Sequence, residues 1–411
     1  MIVIAGAGIA GLACALACAD RGTPCHIVEP RKAQADEAGA GIQLGPNGVG
    51  VLQRLGLTAA LEATAATPNA IRLMQGHTGQ TLSVLPLGAV IAAKFGAPYL
   101  TLLRGDLHRL LRDAVEHAAR HDPGLIKLER GVSVVGVGDR QEGVEVTLSD
   151  GQVIAGSVLI GADGLWSCVR GLIAYGDAAN GPRRIAKTAA RTVIPRDLWL
   201  SVSSTDASGA VDVHAWLDRS GHVVHYPVDQ GRAVAVVVVR NGETTAGDYA
   251  SEETREAVLS ALTRFAPALQ ARLALAQRWR KWPLFDARPL PALTRGRIAL
   301  IGDAAHPVLP FLAQGASMAL EDAEALAQAL AARPSDVPAA LSRYDEQRLQ
   351  RTAKLQRAAA QNGRLYHMAG LPAWARDRAL RLVPARRLLA RYDWLYGWPG
   401  PSESPTPGST A

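Results

Sequence analysis

Three acidic residues, Glu29, Asp163 and Asp303, stand where a carboxylate can do chemistry, each just after a short apolar run. A strand that delivers an acid at its carboxyl end is where open α/β sheets place ligand contacts. The first acid also completes a pattern. Ile2, Val3 and Ile4 form a β-branched run suited to a strand buried on both faces, and Gly6, Gly8 and Gly11 then set G-x-G-x-x-G at its end. Gly6 permits the turn, Gly8 lets the backbone approach a pyrophosphate, and Gly11 lets helix and strand pack closely. Residues 9–19 read as a helix whose free N–H groups point at that phosphate. Glu29, roughly twenty residues past the glycines, is placed to accept hydrogen bonds from both ribose hydroxyls of an adenosine. The set predicts a dinucleotide site. A glycine turn that merely packs leaves Glu29 without a purpose.

A second group of candidates lies in residues 211–228. Two strand-like runs flank Asp218-Arg219-Ser220-Gly221, a turn signature. In a symmetric hairpin Leu217 opposes His222, Ala215 opposes Val224 and Val213 opposes Tyr226. Because side chains alternate, His222 and Tyr226 share one face, and His214 and His225 share the other, where a structural or exposed role is expected.

The elements that must position these residues follow in order. Residues 39–47 are glycine-rich and suit close approach of backbone to a ligand, or a plain connector. Residues 71–85 read as a β-hairpin, and Arg104 opens a helix as either a phosphate contact or a solvated arginine. Residues 131–158 form a small meander that leads into Asp163-Gly164, Ser167 and Arg170. Helix signals weaken after 172, residues 233–240 are nearly all valine, and residues 248–265 and 267–276 read as helices. Gly302-Asp303 ends another buried strand, and Gln314, Gly315 and Ala316 open a long helix whose positive end would stabilise negative charge on a flat ring. The expected fold class is α/β. A Rossmann-like dinucleotide domain with a parallel sheet covers 1–171, with 72–100 lent to a second sheet, and continues at 281–332. An α+β substrate domain with a mostly antiparallel sheet covers 172–280, C-terminal helices fill 333–398, and 399–411 is a disordered tail.

Composition narrows the class. The chain has 411 residues, is 48% hydrophobic and carries a net charge of +7 from scattered arginines, with no basic block interleaved with aromatics, which argues against nucleic acid. No stretch is long and apolar enough to span a bilayer, and the apolar start lacks a basic n-region. The four cysteines show no C-x-x-C spacing, so free thiols in a cytoplasmic protein are expected, and no metal site.

Gly6-x-Gly8-x-x-Gly11 with Glu29, Asp163-Gly164-x-x-Ser167-x-x-Arg170, and Gly302-Asp303-Ala-Ala-His306-Pro307 running on to Gln314-Gly315-Ala316 together resemble the single-component FAD-dependent aromatic hydroxylases. The likeness is to the branch of salicylate hydroxylase, 3-hydroxybenzoate 6-hydroxylase and 6-hydroxynicotinate monooxygenase. It implies a tightly bound, non-covalent FAD. Gly6, Gly8, Gly11 and Glu29 would hold its ADP half, Arg104 its phosphate and ribityl region, and Asp303 a ribityl hydroxyl and the pyrophosphate. Asp163 would touch both FAD and NADH or NADPH, Pro307 would sit against the ring, and Gly315 and Ala316 would steady the reduced ring. Arg170 is expected as an ion pair and His306 as a satisfied core imidazole. The implied reaction uses NAD(P)H and O2 to hydroxylate a small phenolic substrate, carboxylated or not, through a flavin C4a-hydroperoxide, in a monomer or homodimer. An oxidase, dehydrogenase or epoxidising enzyme on the same scaffold is the alternative. His222, paired with Tyr226, is the expected base, tuned toward neutral pH so that it can deprotonate the phenol; a packed hairpin histidine is the other reading. Val213, Phe311 and Gln314 are expected to border the substrate, with Val213 and the 310–312 stretch apolar where some branch members carry polar groups.

Overall fold

Two sheets divide the apolar residues of the chain between them. The computed structural model describes residues 1–32, 40–140, 142–173, 181–202, 211–242 and 249–401. The first sheet has six strands in the order Thr294–Arg295, Ile298–Leu300, Val158–Gly161, Ile2–Ala5, Cys25–Glu29 and Ile126–Arg130. All its neighbours pair in parallel except the two-residue edge strand Thr294–Arg295. Parallel strands covered by helices on both faces must be apolar throughout, and Ile2–Ala5 and Val158–Gly161 are fully buried. Helix Ile9–Ala19, rich in Ala, Cys and Gly, is thin enough to let helix Gly315–Ala332 pack closely against it.

The second sheet has eight strands: Ser251–Glu253, Trp279–Asp286, Arg183–Pro195, Ala233–Asn241, Gly221–Val228, Val213–Asp218, Ala70–Gln75 and Thr81–Pro86. It is antiparallel but for one pair, Val213–Asp218 beside Ala70–Gln75. The hairpin register puts Leu217 opposite His222 and Ala215 opposite Val224. Helices Val337–Tyr366, Gly370–Leu382, Ala385–Ala390 and Asp393–Tyr396 close the chain.

Two element boundaries differ from the sequence expectation. Residues 248–265 were expected as one helix; within the described part a strand, Ser251–Glu253, precedes a short helix, Arg255–Ser260, because Glu252 and Glu253 pair with Arg280 and Trp279 across the sheet edge. The return strand Trp279–Asp286 also runs past the expected boundary at 280, because Arg183–Pro195 keeps pairing with it as far as Arg183 opposite Asp286. Segment 33–39 and most of the tail 399–411 lie outside the described residues.

Behind the loop at 302–314 lies a buried ionic cluster. Arg348, fully buried on Val337–Tyr366, donates from Nε to Asp322 at 2.7 Å and from its guanidinium to Glu321. Arg351 donates to both Glu321 oxygens, at 2.6 and 2.7 Å, and to the carbonyls of Trp394 and Leu395. The other Asp322 oxygen accepts from the Gly302 N–H at 2.9 Å and is hydrogen-bonded to His306, which is a satisfied core imidazole. Burial alone would raise the Asp322 carboxyl; His306 and Arg348 hold it well below the usual carboxylate range. Removing one partner strands charge in the interior. Arg348→Met is therefore expected to cost about 3 to 5 kcal/mol of stability, read as a lower denaturation midpoint; a change below about 1 kcal/mol would show that the cluster is replaceable.

Candidate active site

Each motif glycine has its own reason in the fold. A Cβ on Gly6, whose φ is +103°, would lie 2.5 Å from the Ala162 carbonyl oxygen, and one on Gly11 would lie 2.0 Å from that of Gly6. A Cβ on Gly8 meets nothing within 4 Å. Packing therefore explains two of the glycines, and the open space in front of Gly8 is left for a ligand. Gly8 also starts helix Ile9–Ala19 with no side-chain cap, so the first-turn N–H groups are available to an anion.

The three acids reach the same edge of the six-stranded sheet but do different work there. Glu29 accepts from the Ala7 N–H at 2.8 Å and from Arg31 Nε at 2.9 Å. Burial opposes its charge, yet these donors and the Arg31 N–H, which reaches Oε1 at 3.1 Å, keep its carboxyl below the ordinary range, and Oε2, with Ala7 its one partner among the described residues, retains a second lone pair. Asp163 departs from the expected ligand contact. Its carboxylate accepts from the Ser167 hydroxyl and from the N–H groups of Cys168 and Val169 at 2.8 and 3.2 Å, capping helix Cys168–Ile173, and its neighbours Ala162 and Gly164 form the cavity wall instead. Asp303 is exposed and lines the cavity directly. Arg170 was expected as an ion pair; its guanidinium donates to the carbonyls of Asp303, Ala304 and Leu165, tying two of these motifs together.

That cavity, of about 290 Å³, runs past Gly8, Arg104, Asp303, Gly315 and Ala316 to Tyr226. Helix Gly315–Ala332 opens on it uncapped, and Ala313, at φ +53°, turns the chain into the helix. Gln314 was expected in the substrate pocket. It lines this cavity instead, because Asn47 Nδ2 holds its Oε1 at 3.0 Å; its Nε2 is buried and meets no partner among the described residues. Pro307 also differs from expectation. Its carbonyl accepts from Gln356, and Val308 and Pro310 make the wall. Open space at Gly8, two uncapped helix starts and an orphaned buried amide together fit a flavin dinucleotide.

A second cavity, of about 850 Å³, lies between the eight-stranded sheet and the C-terminal helices, with Val213 and Phe311 in its wall. The two cavities meet at Gln43, His222, Val224, Pro310 and Ala313. His222 thus faces both. Tyr226 borders only the first, roughly 13 Å further along the strand. Both line the first cavity, and burial pushes the Tyr226 hydroxyl up to about 12, so it serves as a donor and not as a base. On the far face His214 and His225 are buried and stacked at 4.6 Å, with Trp216 donating to His225, so neither is exposed.

The sequence reading missed His367. At the end of Val337–Tyr366 its Nε2 lies 2.8 Å from His222 Nδ1, with Phe311 and Tyr366 packed edge-on to the His222 ring. Gln43, which accepts from Tyr99 at 2.7 Å on the shared wall, was missed as well. Burial, His367 and Lys187 lower His222 well below the ordinary histidine range, which corrects the expectation of a base tuned to neutral pH. Burial, Lys187 and Arg376 lower His367 from 6.5 to about 4. Both imidazoles are neutral near pH 7. Between 6.5 and about 4 the unfolded chain takes up a proton at His367 that the native state refuses, so this contribution to stability is present above 6.5 and is lost as pH falls. The denaturation midpoint is expected to drop less between about pH 7 and about pH 5 in His367→Gln than in the wild type, and equal drops would contradict the assigned shift.

The profile of the FAD binding domain family matches residues 1–359. The chain is 34% identical over 397 residues to 3-hydroxybenzoate 6-hydroxylase 1 of Aquipseudomonas alcaligenes, covering 96% of this chain and 97% of that one. It is 30% identical over 363 residues to 6-hydroxynicotinate 3-monooxygenase of Bordetella bronchiseptica, covering 88% and 91%. Among solved structures, a salicylate hydroxylase substrate complex superposes with a TM-score of 0.80 at 26% identity, covering 97% and 95%. No helix among the described residues is long and apolar enough to cross a membrane. The chain belongs to the FAD binding domain family, as an FAD-dependent aromatic monooxygenase that draws on NAD(P)H.

Proposed function

We propose that the enzyme hydroxylates a phenolic ring held against His222, with Gly6, Gly8, Gly11, Glu29, Arg104, Asp303, Gly315 and Ala316 holding FAD in the adjoining cavity. The balance is aryl–H, O2, NAD(P)H and a proton going to aryl–OH, water and NAD(P)+. The observation that carries this reading is the shared wall: His222 is the one titratable side chain that borders both cavities among the described residues. When bound, FAD supplies the oxygen-activating chemistry. The protein's own work is position and proton handling.

A buried imidazole that resists charge is a poor final home for a proton, but a good relay. In the tautomer where His222 Nδ1–H donates to His367 Nε2, His222 Nε2 offers its lone pair to the cavity. A phenol proton taken at Nε2 is matched by release of the Nδ1 proton to half-buried His367, whose charge nearby Asp218 favours. The first helix turn at Gly315 and Ala316 directs N–H groups toward negative charge in the flavin cavity. Four free thiols support a reducing compartment, the cytoplasm.

His222→Ala is expected to keep FAD but to couple NAD(P)H oxidation to product about tenfold less well, near 1.4 kcal/mol in barrier. Unchanged product yield would remove His222 from the mechanism. His367→Ala should lower the hydroxylation rate several-fold while leaving the KM for NAD(P)H unaltered and shifting the pH profile of kcat; a profile identical to wild type would leave His367 a packing residue.

A further inference from the structure

We infer that the substrate is an extended, apolar aromatic, uncharged where it lies on the sheet, with a second ring or alkyl chain reaching across the sheet away from His222. The inference rests on the hydroxylase reading and deepens it. Size is the first ground. A dry cavity of about 150 Å³ suffices to take up benzene, whereas the cavity under the C-terminal helices holds about 850 Å³, in the range of drug-sized ligands.

Shape is the second. The floor is a continuous apolar surface set by register. Val213 pairs with Ile71, which pairs with Leu85, and Ala215 pairs with both Leu73 and Val224. From the His222 strand to the Leu85 strand there are three interstrand steps, roughly 14 Å, more than one substituted ring covers. Charge is the third. No charged side chain from the sheet lines this floor, so a carboxylate lying on it would be desolvated with no sheet cation in contact, whereas Arg191 of the same sheet lines the adjoining cavity. The charged lining residues all come from the helices, and all are cations: Lys354, Arg357, Arg376 and Arg391. Two are already engaged. Arg376 is held by Asp377 and two backbone carbonyls, and Lys354 sits 4.2 Å over the Trp394 ring. A positively charged substrate end is thereby disfavoured.

The test uses the FAD-loaded enzyme. Dissociation constants for phenol, 3-hydroxybenzoate, 2-naphthol and 4-hexylphenol are read from perturbation of the flavin absorbance, and each compound is then tested for a hydroxylated product with NADH and NADPH. The two extended phenols are expected to bind at least tenfold tighter than 3-hydroxybenzoate and to be hydroxylated. Ala215→Phe, which narrows the floor, should weaken 4-hexylphenol at least tenfold while leaving phenol within about twofold. Tighter binding and turnover of 3-hydroxybenzoate, with the extended phenols inert, would overturn the inference and leave the hydroxylase reading standing. Hydroxylation of no phenol of any size would overturn the hydroxylase reading and, with it, this one.

Discussion

The active site depends on a buried charge cluster behind the 302–314 loop. Arg348 and Arg351 together neutralise Glu321 and Asp322, and Asp322 in turn holds the Gly302 N–H and His306. That arrangement fixes both ends of the 302–314 loop: Gly302 follows the sheet strand, and Glu321 accepts from Asn47, which holds Gln314 at the start of the long helix. Through Arg351 the same cluster reaches the Trp394 and Leu395 carbonyls, so the C-terminal helices that roof the large cavity share its anchor. Buried ion pairs seldom add net stability over well-packed apolar groups. Here the pairs instead fix the position of an irregular loop that regular secondary structure cannot specify.

The second constraint is the common wall. A six-stranded, mostly parallel sheet and an eight-stranded, mostly antiparallel one each need a covered face, and the space where they meet is closed by His222, Val224 and Pro310. In the proposed relay, an imidazole there, linked to a second at the end of a helix, gives a proton a route out of an apolar site. Neither histidine could hold that proton alone, since burial and Lys187 oppose the charge on both.

Much of this was legible in the sequence because it is local. Glycine spacing, a strand's apolar run and a two-residue hairpin loop are encoded within a few neighbours, which is why the Gly6 turn and the Leu217–His222 register follow from the residues alone. What escaped is long-range. His367 stands 145 positions from His222, and nothing around it marks the meeting. The strand Arg183–Pro195 carries Arg184, Lys187 and Arg191 among small residues, so its alternation is faint, though it runs through the middle of the larger sheet. Asp163 shows a subtler limit. A strand-end acid signals a ligand contact and a helix cap equally well, and Ser167 with the Cys168 and Val169 N–H groups takes up its carboxylate.

The proposed reaction carries oxygen activated in the flavin cavity across the shared wall into a phenol. Turnover under isotopically labelled dioxygen, with unlabelled water, tests it directly. The product should carry one labelled oxygen for each NAD(P)H consumed in coupled turnover. A product whose new oxygen comes from water, or hydrogen peroxide as the sole fate of the label with every phenol offered, would contradict it.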